Sequence, residues 1–218
     1  MHCVEGEMHS RSLAARVDAA MCRFIVAGVL SIFVVVFGTE ARGQAQGFSR
    51  AELAALPTWC HSTLTFTTSV GQGSHFHNYV IRYGKGWNHV HHYCWALIAM
   101  MRYDRPGNSS VERQGFAHSA LTDMQYVLRN VGPDFVLWPD IVARKTRLLV
   151  RERRLNEAME SANEMLSAYP TRADSHGLVA EVLYEAGRRS QARQVLDKAE
   201  SAVEDPDRLE RIRTVLGL

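Results

Sequence analysis

The chain has 218 residues, 46% hydrophobic and 22% charged, an ordinary globular composition with enough apolar material for a packed core in one or two domains. A formal net charge of +2 gives no electrostatic footprint for nucleic acid, and aromatic and basic residues do not interleave into a base-stacking platform.

Arg11, Arg16 and Arg23 precede an uncharged run from Phe24 to Phe37, and the small residues Ala41, Gly43 and Ala45 follow it. A basic start, an apolar middle and a small-residue exit describe a secretory signal peptide over residues 1–45. The run falls short of the roughly 20 residues that span a bilayer. An uncleaved anchor at 24–37 is the alternative, and the only membrane contact the sequence offers. Met21 provides a second start, which would leave 1–20 untranslated. The expected location is periplasmic or extracellular. Cleavage removes Cys3 and Cys22 and leaves Cys60 and Cys94. In an oxidising compartment such a pair tends to be bonded. Closing a loop of that span stabilises by roughly 3–4 kcal/mol in the chain-entropy model. Two separate buried thiols are the alternative.

Ser49-Arg50-Ala51-Glu52 has the form of a capping box and opens a short helix that should end at Pro57. Residues 61–75, rich in Thr, Ser and Gly without a helical period, predict a loop with an extended piece at Thr63–Thr67. Phe76–Tyr83 predicts a helix ending before Gly84. Asn88 is placed to cap a helix over His89–Arg102, with Val90, Trp95, Leu97, Ile98 and Met101 on its apolar face. Pro106 and Gly107 break the chain between Asp104 and Ser110. A helix over Val111–Val131 follows, its stripe formed by Phe116, Ala120, Met124, Val127 and Leu128. Residues 46–88 therefore form a partly irregular N-terminal extension ahead of a helical domain over 89–218.

From Pro139 the pattern repeats. A helix with Val142, Leu148 and Leu149 is followed by a turn and a helix with Ala158, Ala162, Met165 and Leu166. Pro170 closes this unit. The next has His176, Val179, Ala180 and Leu183, a turn at Gly187, then Ala192, Val195, Leu196 and Ala199. Leu149 to Leu183, Ala158 to Ala192, Ala162 to Leu196 and Met165 to Ala199 are each 34 positions apart. Thr146, Ala158, Ala180 and Ala192 are small enough for two helices to approach closely, and Leu149, Leu166, Leu183 and Leu196 fill the space to the next pair. Asp205-Pro206 caps one further helix with Leu209, Ile212, Val215 and Leu216 on one face. Such a helix covers the end of a stacked array.

This pattern resembles the tetratricopeptide repeat family over residues 139–206, as units 139–172 and 173–206 with a capping helix at 206–217. The first unit has Arg153 where the family's turn glycine stands, and both lack its early tryptophan. The resemblance implies an all-α solenoid of helical hairpins, completed by the helices at 89–102 and 111–131. Trp59-Cys60, His91-His92-Tyr93-Cys94-Trp95-Ala96-Leu97 and Gly132-Pro133-Asp134-Phe135 further resemble a set of uncharacterised exported bacterial tetratricopeptide proteins. That implies a bacterial, exported scaffold and brings no catalytic assignment. Carrying over the family's groove positions places Asp140, Arg147 and Arg151, then Asp174, Glu181, Tyr184 and Glu185, on the face of the first helices. Arg147 and Arg151 with Glu181, Tyr184 and Glu185 become the candidate partner-binding residues, a positive section beside a negative one.

His89, His91, His92 and Cys94 form the densest set of potential metal ligands. At helical spacing His89 and His92 share a face, and His91 and Cys94 share another. His61, beside Cys60, could join His89 and His92 in a zinc or copper site. A solvated cluster near a helix start is the competing interpretation, and a Cys60–Cys94 bond would withdraw both thiolates. Pro57 stands where covalent haem needs a cysteine, and no Gly-x-Ser-x-Gly elbow occurs. The expectation is an exported all-α scaffold that binds a protein or peptide, without catalysis or cofactor. The alternative is a metal-binding exported protein.

Overall fold

The computed structural model describes residues 47–67 and 74–218. The expected signal segment lies outside the described residues, as does the part of the expected loop at 68–73. From Ser49 to Leu218 the chain forms one compact unit. Among the described residues it contains ten α-helices and no strand. They are α1 (Arg50–Ala55), α2 (Thr58–Thr67), α3 (Ser74–Tyr83), α4 (Val90–Tyr103), α5 (Ser110–Asn130), α6 (Trp138–Arg151), α7 (Leu155–Ala168), α8 (Ala173–Glu185), α9 (Arg189–Ala199) and α10 (Pro206–Leu216).

Three helical pairs stack in chain order. α4 packs on α5, α6 on α7 and α8 on α9. Neighbouring pairs meet through α5 and α6, through α7 and α8, and through α6 and α8. The expected small positions are where the pairs close: Thr146, Ala158, Ala180 and Ala192 are 0% exposed. The Thr146 hydroxyl donates to the Val142 carbonyl at 2.9 Å, so its polar atom is satisfied within its own helix. Leu148, Leu178 and Leu196 are buried around these contacts, each contributing about 1.5–3 kcal/mol by burial. The α5 stripe is centred on Ala117, Ala120, Met124 and Val127, with Phe116 and Leu128 half-buried at its edges. Ser109 and Glu112 form a second capping box at the start of this helix.

α10 lies against α8 as the first helix of another pair would. Gly177 makes this possible. A glycine inside a helix costs about 1 kcal/mol relative to alanine, but a Cβ here would stand 2.7 Å from Ile212 Cδ1. The apolar face expected for α10 is narrower than its sequence suggests. Leu209 is buried, Ile212 and Leu216 are half-buried, and Val215 is 85% exposed. α10 makes only a thin contact with α9. Toward that helix it turns Arg213, which meets Asp197 at 2.9 Å and Glu200 at 3.2 Å.

The N-terminal extension is more helical than expected. The predicted loop from residue 61, with its extended piece at Thr63–Thr67, is instead the continuation of α2 through Thr67. Hydroxyl-rich sequence disfavours helix because Ser and Thr compete for the backbone. Here that competition is absorbed inside the helix: Ser62 Oγ donates to the Trp59 carbonyl and Thr63 Oγ1 to the Cys60 carbonyl, both at 2.9 Å. Packing on α4 supplies the rest. Trp59 stacks on Tyr93 with ring centroids 6.0 Å apart and stands edge-on to Trp87 at 5.8 Å. The Cys60 and Cys94 sulfurs are at bonding distance, 2.05 Å, with their Cα atoms 5.7 Å apart and both residues fully buried. That geometry is compatible with the expected disulfide. Asn88 does not cap α4. A 3-10 turn over Lys85–His89 leads into the helix, His89 holds the cap position without a side-chain bond, and the Asn88 carbonyl accepts from His91 Nδ1 at 3.0 Å.

Glu52 fastens α1 to the far end of α4. Its carboxylate accepts from Arg102 Nε and Arg105 Nη2, each at 2.6 Å, and from the Ser49 amide at 2.7 Å. The side chain is 5% exposed. The Arg102 hydrogen bond is the main cause that draws its pKa down to about 2.

Glu52→Gln should lower stability by about 3 kcal/mol in urea denaturation, because Arg102 loses the counter-ion in a half-closed site. Since the folded pKa is depressed, the Glu52 contribution is complete above the unfolded value of 4.5 and disappears as pH falls towards 2. Between those limits the stability of the Gln variant should decline less steeply than that of the parent. Equal slopes would remove the assigned role. Non-reducing alkylation of the unfolded protein should leave Cys60 and Cys94 unlabelled; labelling of both would refute the bond.

Candidate partner-binding face

The first helices of the two repeat units, α6 and α8, carry the expected groove residues. Arg147, on α6, directs Nε to both carboxylate oxygens of Glu181, on α8, at 3.2 and 3.0 Å. The pair is separated by 34 residues, the repeat period itself. Arg208 and Asp174 form the same contact one unit later, again 34 residues apart, at 2.9 Å. Arg151 reaches back to Asp104 at the end of α4 and lies over the Tyr103 ring, 4.4 Å from its centroid. The Asp104 hydrogen bond is the main cause that raises the Arg151 pKa. Asp140 accepts from the Tyr93 hydroxyl and from Arg144 Nε. Burial is the main cause holding Tyr93 protonated well above the usual phenol range. Tyr184 accepts from Arg189 at 2.9 Å, with the guanidinium 4.8 Å over the same ring.

The structure therefore brings Arg147, Arg151, Glu181 and Glu185 around one groove; Arg147 and Glu181 pair with each other, while Asp140, Arg151, Asp174 and Tyr184 pair with side chains outside the predicted set. The positive and negative sections are linked by Arg147 and Glu181. Glu185 is exposed and has no ion pair among the described residues. These pairs do not lock the face. Arg147 keeps 55% of its side-chain exposure and Arg151 41%, and exposed ion pairs of this kind contribute about 0–1 kcal/mol. A partner's carboxylate can exchange with either at little cost.

Arg147, Val150, Arg151, Arg153, Glu181 and Glu185 line a shallow groove of about 310 Å³. Arg153 occupies the place that Gly187 takes in the next unit, and both are left-handed, with φ of 59° and 76°. A side chain in that region costs roughly 1–2 kcal/mol. The strain puts an exposed guanidinium at the groove edge where the next turn has none. The absence of a glycine at 153 is visible in the sequence, but it does not by itself place Arg153 at the groove. The signal for the Arg147–Glu181 bridge was already present as opposite charges at the repeat spacing.

The candidate metal ligands occupy two places. His61 Nε2 is 2.9 Å from the Leu53 carbonyl. His89 and His92 do share a face, and both meet Tyr126 on α5: His89 Nδ1 is 3.3 Å from its hydroxyl, and the His92 ring lies 3.9 Å from its ring centroid. Asp123, absent from the sequence-derived set, accepts from His92 Nδ1 at 2.7 Å. Burial is the main cause lowering the pKa of His89 and His91, with His92 adding repulsion, and burial likewise raises that of Asp123 against the opposing His92 bond. Among the described residues, no three His, Cys, Asp or Glu side chains stand close enough to hold a metal ion.

The family model described as tetratricopeptide repeat matches residues 149–216, from within α6 through α10. No curated protein and no solved structure matches the chain.

Arg153→Gly should stabilise the protein by about 0.5–1 kcal/mol, the relief of left-handed strain less the added backbone entropy of glycine. Gly187→Ala should destabilise by about 1 kcal/mol, although nothing stands within 4 Å of the added Cβ. Thermal melts of the two variants shifting in the same direction would contradict the equivalence of the turns.

Proposed function

We propose, from the match of residues 149–216 to the tetratricopeptide repeat model, that this chain is an exported scaffold whose α6–α8 face holds a segment of a partner protein. Such repeats are typically non-catalytic protein-binding modules. The observation that carries the assignment here is the groove lined by Arg147, Arg151, Arg153, Glu181 and Glu185. Arg153 and Glu185 are its readily available charges, and Arg147 and Arg151 can be recruited from weak surface pairs. The matching partner is an extended or helical segment carrying an acidic residue for the arginines and a basic one for Glu185. Binding by complementary charge makes capture depend on ionic strength, because exposed charges are screened within about 8–10 Å at physiological salt. Export is supported by the basic, apolar and small-residue order of residues 1–45.

Immobilised wild-type protein should capture a discrete partner from the exported fraction of its native cells, with release at high salt. The Arg151→Glu, Arg153→Glu double variant should lose it while keeping its melting temperature within a few degrees. Equal capture by the folded variant would reject the groove assignment. Recovery of the precursor solely in the cytoplasm would reject export.

A further inference from the structure

The histidines at the start of α4 lie apart from the groove, and hydrogen bonding has sorted their ring nitrogens. His91 Nδ1 faces the Asn88 carbonyl at 3.0 Å, and His92 Nδ1 faces the Asp123 carboxylate at 2.7 Å. Both partners only accept, so each Nδ1 carries the proton, and in the neutral ring each Nε2 keeps its lone pair. The two rings have centroids 4.4 Å apart, and both stand edge-on to Trp95, at 5.0 Å and 84° and at 4.8 Å and 74°. Tyr126 closes on His92 from α5. We infer that His91 and His92, half-buried and juxtaposed against Trp95 with their Nδ1 atoms already engaged, form a two-imidazole site for a transition-metal cation, with Cu(II) preferred.

The chemistry follows from the donors. Imidazole nitrogen suits copper, zinc and nickel, and the affinity order of divalent first-row ions places Cu(II) highest for a given nitrogen set. No third protein donor stands close enough among the described residues, so water fills the remaining positions. Cu(II), in tetragonal geometry, accepts two nitrogens with water, whereas a closed zinc site requires four protein ligands. The positive end of the α4 dipole opposes a cation at this helix start. Asp123 counters it from α5 and is the carboxylate that orients a metal-binding histidine through its other nitrogen. The ligands thus differ from the His61, His89 and His92 set suggested by the sequence. His89 remains with Tyr126, and His61 with Leu53.

Cu(II) chloride titrated into the full chain tests this. The chain should carry His2→Ala, Cys3→Ser and Cys22→Ser, so that the amino-terminal chelate and the free thiols do not compete for or reduce the ion. One equivalent should bind, with electron paramagnetic resonance showing coupling to imidazole nitrogen. His91→Ala and His92→Ala should each weaken binding at least tenfold, Asp123→Asn about tenfold, and His118→Ala on α5 not at all. Bound Cu(II) should also protect His91 and His92 from diethylpyrocarbonate, mapped by mass spectrometry, which tests the site in an unsubstituted α4 should a variant fail to fold. Unprotected His91 and His92, a spectrum without imidazole nitrogen, or undiminished affinity in folded His91→Ala or His92→Ala protein would overturn the site. Tighter binding of zinc would overturn the preference for copper.

Discussion

A hairpin of two short helices leaves one apolar face bare, and the other features of this molecule depend on how that face is covered. Small residues at the crossing let α6 approach α7 and α8 approach α9, and the larger residues that project from each pair have nowhere to go except into the next. Stacking therefore continues until something dissimilar ends it. Toward the C-terminus α10 packs on α8, admitted by the missing side chain of Gly177. At the other end, α4 and α5 provide a non-repetitive pair, and α2 packs on α4 with Trp59 against Tyr93. Weak local helix preference in α2 is tolerated because the buried contacts, rather than its Ser and Thr residues, decide its conformation.

The same repetition organises the surface. Because equivalent positions recur every 34 residues, a cation on one first helix lies beside an anion on the next when their signs alternate, as in Arg147–Glu181 and Asp174–Arg208. These bridges add little stability. They do keep a row of charges in register along one face and leave them exchangeable, a property suited to holding a charged segment. A set of isolated charges would offer the same attraction without the same spacing.

The repeats were legible in the sequence because burial imposes a period on them: Ala158 and Ala192, or Leu149 and Leu183, are placed by volume alone. The end of α1 was legible from Pro57, and its start from the Ser49 box. Other features depend on which residues meet across the chain. The helical state of Thr63 rests on contacts with α4, and the Glu52 site joins residues that are distant in sequence to Arg102 and Arg105. In the candidate site, Arg147, Arg151 and Glu181 were found by position within the repeat. Asp104 and Tyr103, which hold Arg151, lie outside the recognisable units and follow no period. The relation of His92 to Asp123 needs the register of α4 against α5, which helix periodicity within either segment does not specify.

The unequal lengths of α4 and α5 also limit how the array can evolve. α5 has 21 residues and α4 has 14, or about 31 and 21 Å of helix, so this pair cannot substitute for a repeat whose two helices match. Its partner surface is already occupied by α2, with Cys60 and Cys94 at bonding distance. A duplicated unit inserted before it would meet no complementary helix. One inserted between α7 and α10 would find the same small and large residues on both sides, so lengthening by duplication should be confined to the C-terminal half of the fold.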